Sequence, residues 1–282
     1  MAPNDITIVI NTFNSEEQIF SCLDSIEQKF KVQIIENSSN LEFKKKIEEK
    51  YSNVSCELTN DNLGYAKGNN FGLSKVKSKF ALILNPDTTL AKDAINNFLI
   101  SASKDTDFAI ISPAIQDEKD NKLNPYQNIN HLIEVDHVKG FAMFLNMNQF
   151  KDIGFFDENF FIYLEEIDLC RRLRKANKKI YLDTSIIINH IGGSSHNQSI
   201  NFEMEMSRNW HWMWSTFYYQ KKYNGFIFAL FKVSKKLISS LIKVLFYSLI
   251  FNQKKKKIYY QRFSGLINSI FGKKSWYRPK LL

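Results

Sequence analysis

The chemistry available to this sequence is concentrated in a few carboxylates and the residues spaced around them. Asn85-Pro86-Asp87 follows the fully apolar run Phe80 to Leu84. An Asp in that place has two uses: turn punctuation after a strand, or the oxygen ligand that a hard divalent cation needs when phosphate and water fill its other sites. Glu165, Glu166 and Asp168 crowd the start of a predicted helix. There the macrodipole favours negative charge, and a carboxylate can take the proton of an attacking hydroxyl. Asp168 is also spaced to pair with Arg171 or Arg172 on its own helix face. Glu36 ends a second apolar run and opens Asn37-Ser38-Ser39-Asn40; it is either a solvated acid in an Asx-rich turn or an acceptor for hydroxyl and imide donors. Between Asn62 and Asn70, Gly64 and Gly68 permit close backbone approach, and the charge of Lys67 can offset phosphate.

These residues need a frame that brings them to one place. Ile6 to Asn11, Val32 to Glu36, Val54 to Leu58, Phe80 to Leu84 and Phe108 to Ser112 are short, β-branched or apolar strand candidates. They alternate with helix-like stretches at Ser15 to Gln28, Leu41 to Tyr51, Asn69 to Lys75 and Lys92 to Ser103. That alternation predicts an α/β fold with a mostly parallel sheet covered by helices. Ligands bind such sheets beyond the carboxyl ends of the strands. The polar clusters Asn11 to Asn14, Glu36 to Asn40 and Asn85 to Thr89 all follow strands, so they are expected to converge on one edge. Gln116 to Asn130 reads as a polar loop.

Five clusters in order resemble glycosyltransferase family 2 of the GT-A fold, particularly its rhamnosyltransferase-like branch. They are Thr12-Phe13-Asn14, Glu36-Asn37-Ser38-Ser39, Asn62 through Asn70, Asn85-Pro86-Asp87, and Gly154-Phe155-Phe156-Asp157-Glu158 continuing through Phe161 to Arg172. The resemblance spans Ile6 to His196. It implies a Rossmann-like GT-A domain and inverting transfer of rhamnose or a hexose from a dTDP- or UDP-linked donor. The implied acceptor is a polyprenyl-linked or growing surface glycan of the cell envelope. It further implies donor contacts from Thr12, Asn14, Glu36, Asn37, Asn62, Gly64, Lys67, Asn69, Asn85 and Asp87, with Glu36 at the nucleoside. A divalent metal, Mg²⁺ or Mn²⁺, would sit on Asp87, with His190 completing its shell in the way a neutral imidazole can. A lone histidine in that place serves equally as a structural residue. Many relatives carry a second Asp where this chain has Asn85, which removes one carboxylate. The family's base is the Asp of a Glu-Asp pair; here Glu166 stands in its place, one methylene longer, with Glu165 beside it as the other candidate.

Charge divides the chain. Residues 1–205 carry a net −7 and residues 206–282 a net +16, with no Asp or Glu after Glu205. Residues 1–205 are therefore expected to form the catalytic domain and residues 206–282 a basic, amphipathic helical tail. Between Phe226 and Phe251 the lysines and serines Lys232, Lys235, Lys236, Ser239, Ser240 and Lys243 fall in one helical sector, and Phe, Leu, Ile and Val occupy the rest. This patterning predicts association with an anionic membrane surface rather than nucleic acid; a pair of helices packed on protein is the competing reading. Trp210, Trp212 and Trp214 alternate in a stretch suited to core packing or an interfacial belt. The N-terminus has no basic n-region ahead of a long apolar stretch. Cys22, Cys56 and Cys170 show no metal or redox spacing. A cytoplasmic, peripheral protein is expected. Two rival classes remain: a nucleotidyltransferase-like enzyme, whose usual glycine-rich basic loop is missing from Asn11 to Asn14, and a non-catalytic membrane adaptor.

Overall fold

The structure, a computed structural model, describes residues 2–116, 132–190 and 196–279. The expected polar loop therefore lies outside the described residues except for Gln116. Two compact units form: residues 1–156 with 166–197, and residues 157–165 with 198–282.

Among the described residues, the first unit is built on a nine-stranded sheet. Four parallel strands make one half: β1 (Ile6–Thr12), β2 (Lys31–Glu36), β3 (Val54–Leu58) and β4 (Phe80–Leu84), in the order β3-β2-β1-β4. The sheet continues through β8 (Ala142–Asn146), β6 (Phe108–Gln116) and β9 (Lys179–His190) to β5 (Thr88–Leu90), with β7 (Leu132–Glu134) also paired to β9. Here β8 is antiparallel to β4 and β6, β9 is parallel to β6, and β5 and β7 run antiparallel to β9. Every residue of β4 and β8 is buried, as their continuous apolar sequences require of strands covered on both faces. Phe80, Phe98, Phe108 and Phe144 meet ring to ring at this centre, with centroids 5.0 to 5.9 Å apart.

Helices α1 (Ile19–Asp24), α2 (Leu41–Lys50), α3 (Gly64–Lys75), α4 (Ala94–Lys104) and α5 (Glu165–Lys175) connect these strands. In α2, Asn40 caps the first turn by accepting from the Phe43 amide at 2.9 Å, and Phe43 and Ile47 form the buried stripe. The first helix is shorter than the periodicity of Ser15 to Gln28 predicts. Its end is set by Ser25, whose hydroxyl turns back onto the Cys22 carbonyl at 2.6 Å and accepts from the Leu90 amide. Conversely, α3 begins five residues before the predicted start, at Gly64, which has φ +75°. Glycines let this helix lie close to the sheet: a Cβ on Gly72 would meet Val9 Cγ1 at 2.5 Å.

The second unit is a bundle of α6 (Asn201–Asn224), α7 (Phe226–Leu249) and α8 (Gln253–Ile270). Its interior holds Met213, Phe217, Ala229, Val233 and Leu266. At Gly265 an added Cβ would lie 2.2 Å from the Trp210 carbonyl oxygen, so α8 crosses α6 with backbone nearly touching backbone. Trp210 and Trp214 are buried in this bundle and donate to Ser264 Oγ and the Lys273 carbonyl, whereas Trp212 is partly exposed against Tyr163. Residues 157–165 dock on α6. Asp157 accepts from Tyr218 and Lys222, the Ile162 carbonyl accepts from Ser215, and the Phe161 ring stacks on His211. Tyr163 and Leu164 are both left-handed, at φ +75° and +69°, as the chain turns into α5.

Candidate active site

Register brings the first pair of candidate residues together. Because β1 and β2 run parallel, Thr12 lies opposite Glu36 at the carboxyl end of both. Thr12 Oγ1 donates to Glu36 Oε2 at 2.5 Å, and the Ser38 amide to Oε1 at 2.6 Å, with the Ser38 hydroxyl on the same oxygen. Glu36 is 1% exposed, so it is not a solvated acid. Burial pushes its carboxyl above the usual range, and the Ser38 and Thr12 bonds pull the other way.

Asn37 ties three strand-end loops. Its side-chain amide donates to the Thr12 carbonyl at 3.1 Å and to Asn11 Oδ1, and its Oδ1 accepts from the Leu63 amide and Thr59. Asn11 in turn donates to the Gly64 carbonyl at 2.9 Å, and Asn62 Oδ1 accepts the Gly64 amide at 3.1 Å. A Cβ at Gly68 would lie 2.5 Å from Asn11 Oδ1. Asn11 was not singled out from the sequence, yet it anchors the start of α3 to β1. Asn69 is fully buried and bonds the Tyr65 carbonyl, while Lys67 points from the first turn as an exposed cation. Asn14 is left-handed, with φ +49°, and its carbonyl accepts the Asn197 amide. Among the described residues its side-chain nitrogen is buried without a hydrogen-bond acceptor, a donor held ready at the strand end.

Asp87 and His190 meet by strand pairing. Thr88 of β5 sits opposite His190, the last residue of β9. Thr88 Oγ1 donates to the Asn85 carbonyl at 2.7 Å and holds the Asn-Pro-Asp turn. Asp87 Oδ1 lies 3.4 Å from His190 Nε2, is buried and, among the described residues, accepts no hydrogen bond. An anionic oxygen left this way is costly unless something cationic completes it. A carboxylate oxygen and an imidazole nitrogen converging on one point suit a divalent cation that takes further oxygen ligands from phosphate and water.

The segment Val138 to Phe141 connects this pair to the acidic end of α5. Phe141 gives its carbonyl to the Asn85 amide at 2.8 Å and stacks its ring on His190, centroids 4.7 Å apart. The Gly140 carbonyl accepts from Tyr65 of α3, and Val138 meets the Cys170 thiol, one turn along α5 from Glu166. Nothing in the sequence flagged this segment, whose role lies in backbone groups. Glu166 is half-buried, with burial raising its carboxyl pKa and the amides of Glu166 and Ile167 offsetting part of that rise. Glu165, in contrast, is 4% exposed. Asp168 is buried and accepts from Arg172 Nε at 2.8 Å, as its spacing suggested. Arg172 also donates to the Ile153 and Phe155 carbonyls, and Asn70 clasps Phe156 through both its amide and its carbonyl.

The opposite edge of the sheet has a cleft of 690 Å³, lined by Lys29, Lys31, Lys75, Lys77 and the starts of the first three strands. No carboxylate or histidine faces it. The groups able to do chemistry therefore lie at the carboxyl edge, where α/β sheets hold their ligands.

The family model for Glycosyl transferase family 2 matches residues 7–172, which span β1 through Arg172 of α5. The chain belongs to that family. Among curated proteins, this family-2 chain is 29% identical over 199 residues to a low-salt glycan biosynthesis hexosyltransferase of Haloferax volcanii, covering 63% of the chain and 64% of the relative. It is also 30% identical over 104 residues to a teichoic acid poly(glycerol phosphate) polymerase of Staphylococcus epidermidis, covering 34% of the chain and 14% of the relative. It thus spans less than two thirds of either. Among solved structures, a mannosyltransferase of Pyrobaculum calidifontis in complex with GDP-Man and Mn²⁺ matches with a TM-score of 0.57 at 11% identity, covering 97% of this chain and 90% of that one. S. aureus TarS in complex with UDP matches at 0.55 and 13% identity, covering 100% and 94%. The fold is GT-A, with the mixed sheet and flanking helices described above.

Proposed function

We propose that this family-2 chain is an inverting glycosyltransferase that moves a hexose or rhamnose from a nucleoside diphosphate donor to a hydroxyl of a lipid-linked or growing surface glycan. The observation that carries the reading is the Asp87–His190 pair, with its unsatisfied carboxylate oxygen, at the same sheet edge as the buried Glu36. Glu36, seated by Thr12, offers acceptor oxygens to the nucleoside. Asn14 and Lys67 present a donor and a cation to the diphosphate, and Asn37, Asn62, Gly64 and Asn69 set the loop around it. Asp87 and His190 would hold Mg²⁺ or Mn²⁺, with Asn85 shaping the turn. When bound, the ion neutralises charge on the diphosphate leaving group.

Glu166 takes the proton from the acceptor hydroxyl. The acceptor oxygen bonds to the anomeric carbon from the face opposite the leaving group, and the sugar–phosphate bond breaks with its electron pair going to the diphosphate. Glu166 suits this role better than Glu165 because it keeps surface exposure and its burial strengthens it as a base. Both solved fold neighbours bind nucleotides or nucleotide sugars, and the curated relatives act on glycans or teichoic acid, which supports the donor and acceptor classes.

The test is nucleotide release and acceptor glycosylation across dTDP-rhamnose, UDP-hexoses and GDP-mannose, with Mg²⁺ or Mn²⁺ and with chelator. Asp87→Asn is expected to lose roughly a hundredfold or more in turnover, with the melting temperature held and Mn²⁺ binding weakened. A variant that is folded and as active as wild type refutes the role of Asp87. Pyrophosphate release from nucleoside triphosphates with no sugar transfer would favour the nucleotidyltransferase reading instead.

A further inference from the structure

The second unit displays a surface that includes none of the residues assigned above to donor, metal or base. Along α7 the side chains fall into three sectors. Ala229, Val233 and Ser240 are buried against the bundle, with Leu230 and Leu237 beside them. Ile227, Phe231, Ile238, Ile242, Leu245 and Leu249 recur every three to seven residues on the side turned away from the bundle and stand 58 to 77% exposed. Lys232, Lys235 and Lys243 are exposed along one flank of that stripe. The stripe runs on into the turn before α8, where Ile250 and Phe251 are exposed, Phe251 by 83%, and Lys254 to Lys257 follow at once. Contiguous apolar surface on this scale marks an interaction site.

Charge selects the occupant. No Asp or Glu lies anywhere in α7 or α8, so a second copy docked face to face would bring two lysine rows together. An anionic lipid surface complements both features at once, apolar side chains to the acyl boundary and lysines to the headgroup phosphates. None of the described helices is long and apolar enough to cross a membrane. The 24 residues of α7 offer about 36 Å of contact when the helix lies flat.

We infer that the outer face of α7 and the α7–α8 turn seat the protein on an anionic lipid bilayer. The test is co-sedimentation of the full chain with phosphatidylcholine vesicles containing phosphatidylglycerol, and with phosphatidylcholine alone. Wild type is expected to bind the anionic vesicles preferentially, and to be released by salt. F231Q/I242Q/L249Q changes only exposed positions; it is expected to lose about tenfold or more in partitioning with helix content and melting temperature unchanged. K254Q/K255Q/K257Q should lose the preference for anionic lipid. The inference is overturned if wild type ignores anionic vesicles, or if F231Q/I242Q/L249Q binds them as wild type does. It is equally overturned if wild type binds no vesicles but self-associates in sedimentation velocity and that variant is monomeric, because the face would then be a protein interface.

Discussion

A covered carboxylate costs free energy unless its partners or its work justify it, and Glu36, Asp168, Asp87 and Glu166 are held in four different ways. Glu36 accepts from Thr12 and Ser38, Asp168 from Arg172, Asp87 has an oxygen facing His190 with no hydrogen bond among the described residues, and Glu166 is half-covered at a helix start. The sequence distinguished their contexts but not their states: spacing leaves Asp168 to Arg171 or Arg172, because contact along one helix face is local, whereas the Asp87–His190 approach depends on β5 pairing with β9 across a hundred residues. The raised pKa of Glu166 carries a pH consequence. A base works deprotonated, so the acid limb of the rate profile should fall at a pH above the ordinary carboxylate range. Glu166→Gln should reduce transfer by roughly 10²- to 10⁴-fold while donor affinity, measured by calorimetry, stays within a few-fold. Loss of donor affinity with equal loss of turnover would move the role to binding.

At the scale of elements, the parallel strands β1 to β4 were legible because buried strands are short apolar runs with polar ends. Helix ends were less so, since Ser25 and Gly64 act through side-chain bonds and a left-handed turn rather than through periodicity. The connection entering α5 was invisible for a further reason: Arg172 is one residue, yet it serves Asp168 and the carbonyls of Ile153 and Phe155 together. Arg172→Ala strips a buried carboxylate of its ion partner and leaves those carbonyls to find water. A loss of about 3 kcal/mol is expected, read from the urea midpoint at constant slope. Arg172→Lys should recover little of it, because an ammonium cannot fork to three acceptors in fixed directions.

On the scale of the whole molecule, charge asymmetry falls near Glu205, and packing joins residues 157–165 to residues 198–282. Sequence patterning is local and gave no sign that this short stretch lies on α6. Within that unit, His211 is buried as a neutral ring: Nε2 bonds the Tyr277 carbonyl at 2.8 Å, Nδ1 has no partner among the described residues, and burial pulls its pKa from 6.5 to about 3. Because the unfolded chain binds the proton that the folded one refuses, stability is full above the unfolded value and drains away as pH falls from 6.5 toward 3. The urea midpoint should therefore drop between pH of about 7 and about 4.5. His211→Phe, which keeps a ring against Phe161, should show a smaller drop.

The chain crosses between its two units three times, after residues 156, 165 and 197. A stop codon placed after residue 205 therefore does not prune a tail. It strands a nine-residue excursion, uncovering Phe160 and Phe161 and depriving Asp157 of Tyr218 and Lys222. Such a fragment should be recovered mostly as insoluble material, and a soluble, monomeric, active product of that length would contradict the expectation. Evolution or engineering that wishes to alter what the basic helices touch must do so by changing their outward side chains, because the polypeptide is stitched through them before it returns to finish the sheet.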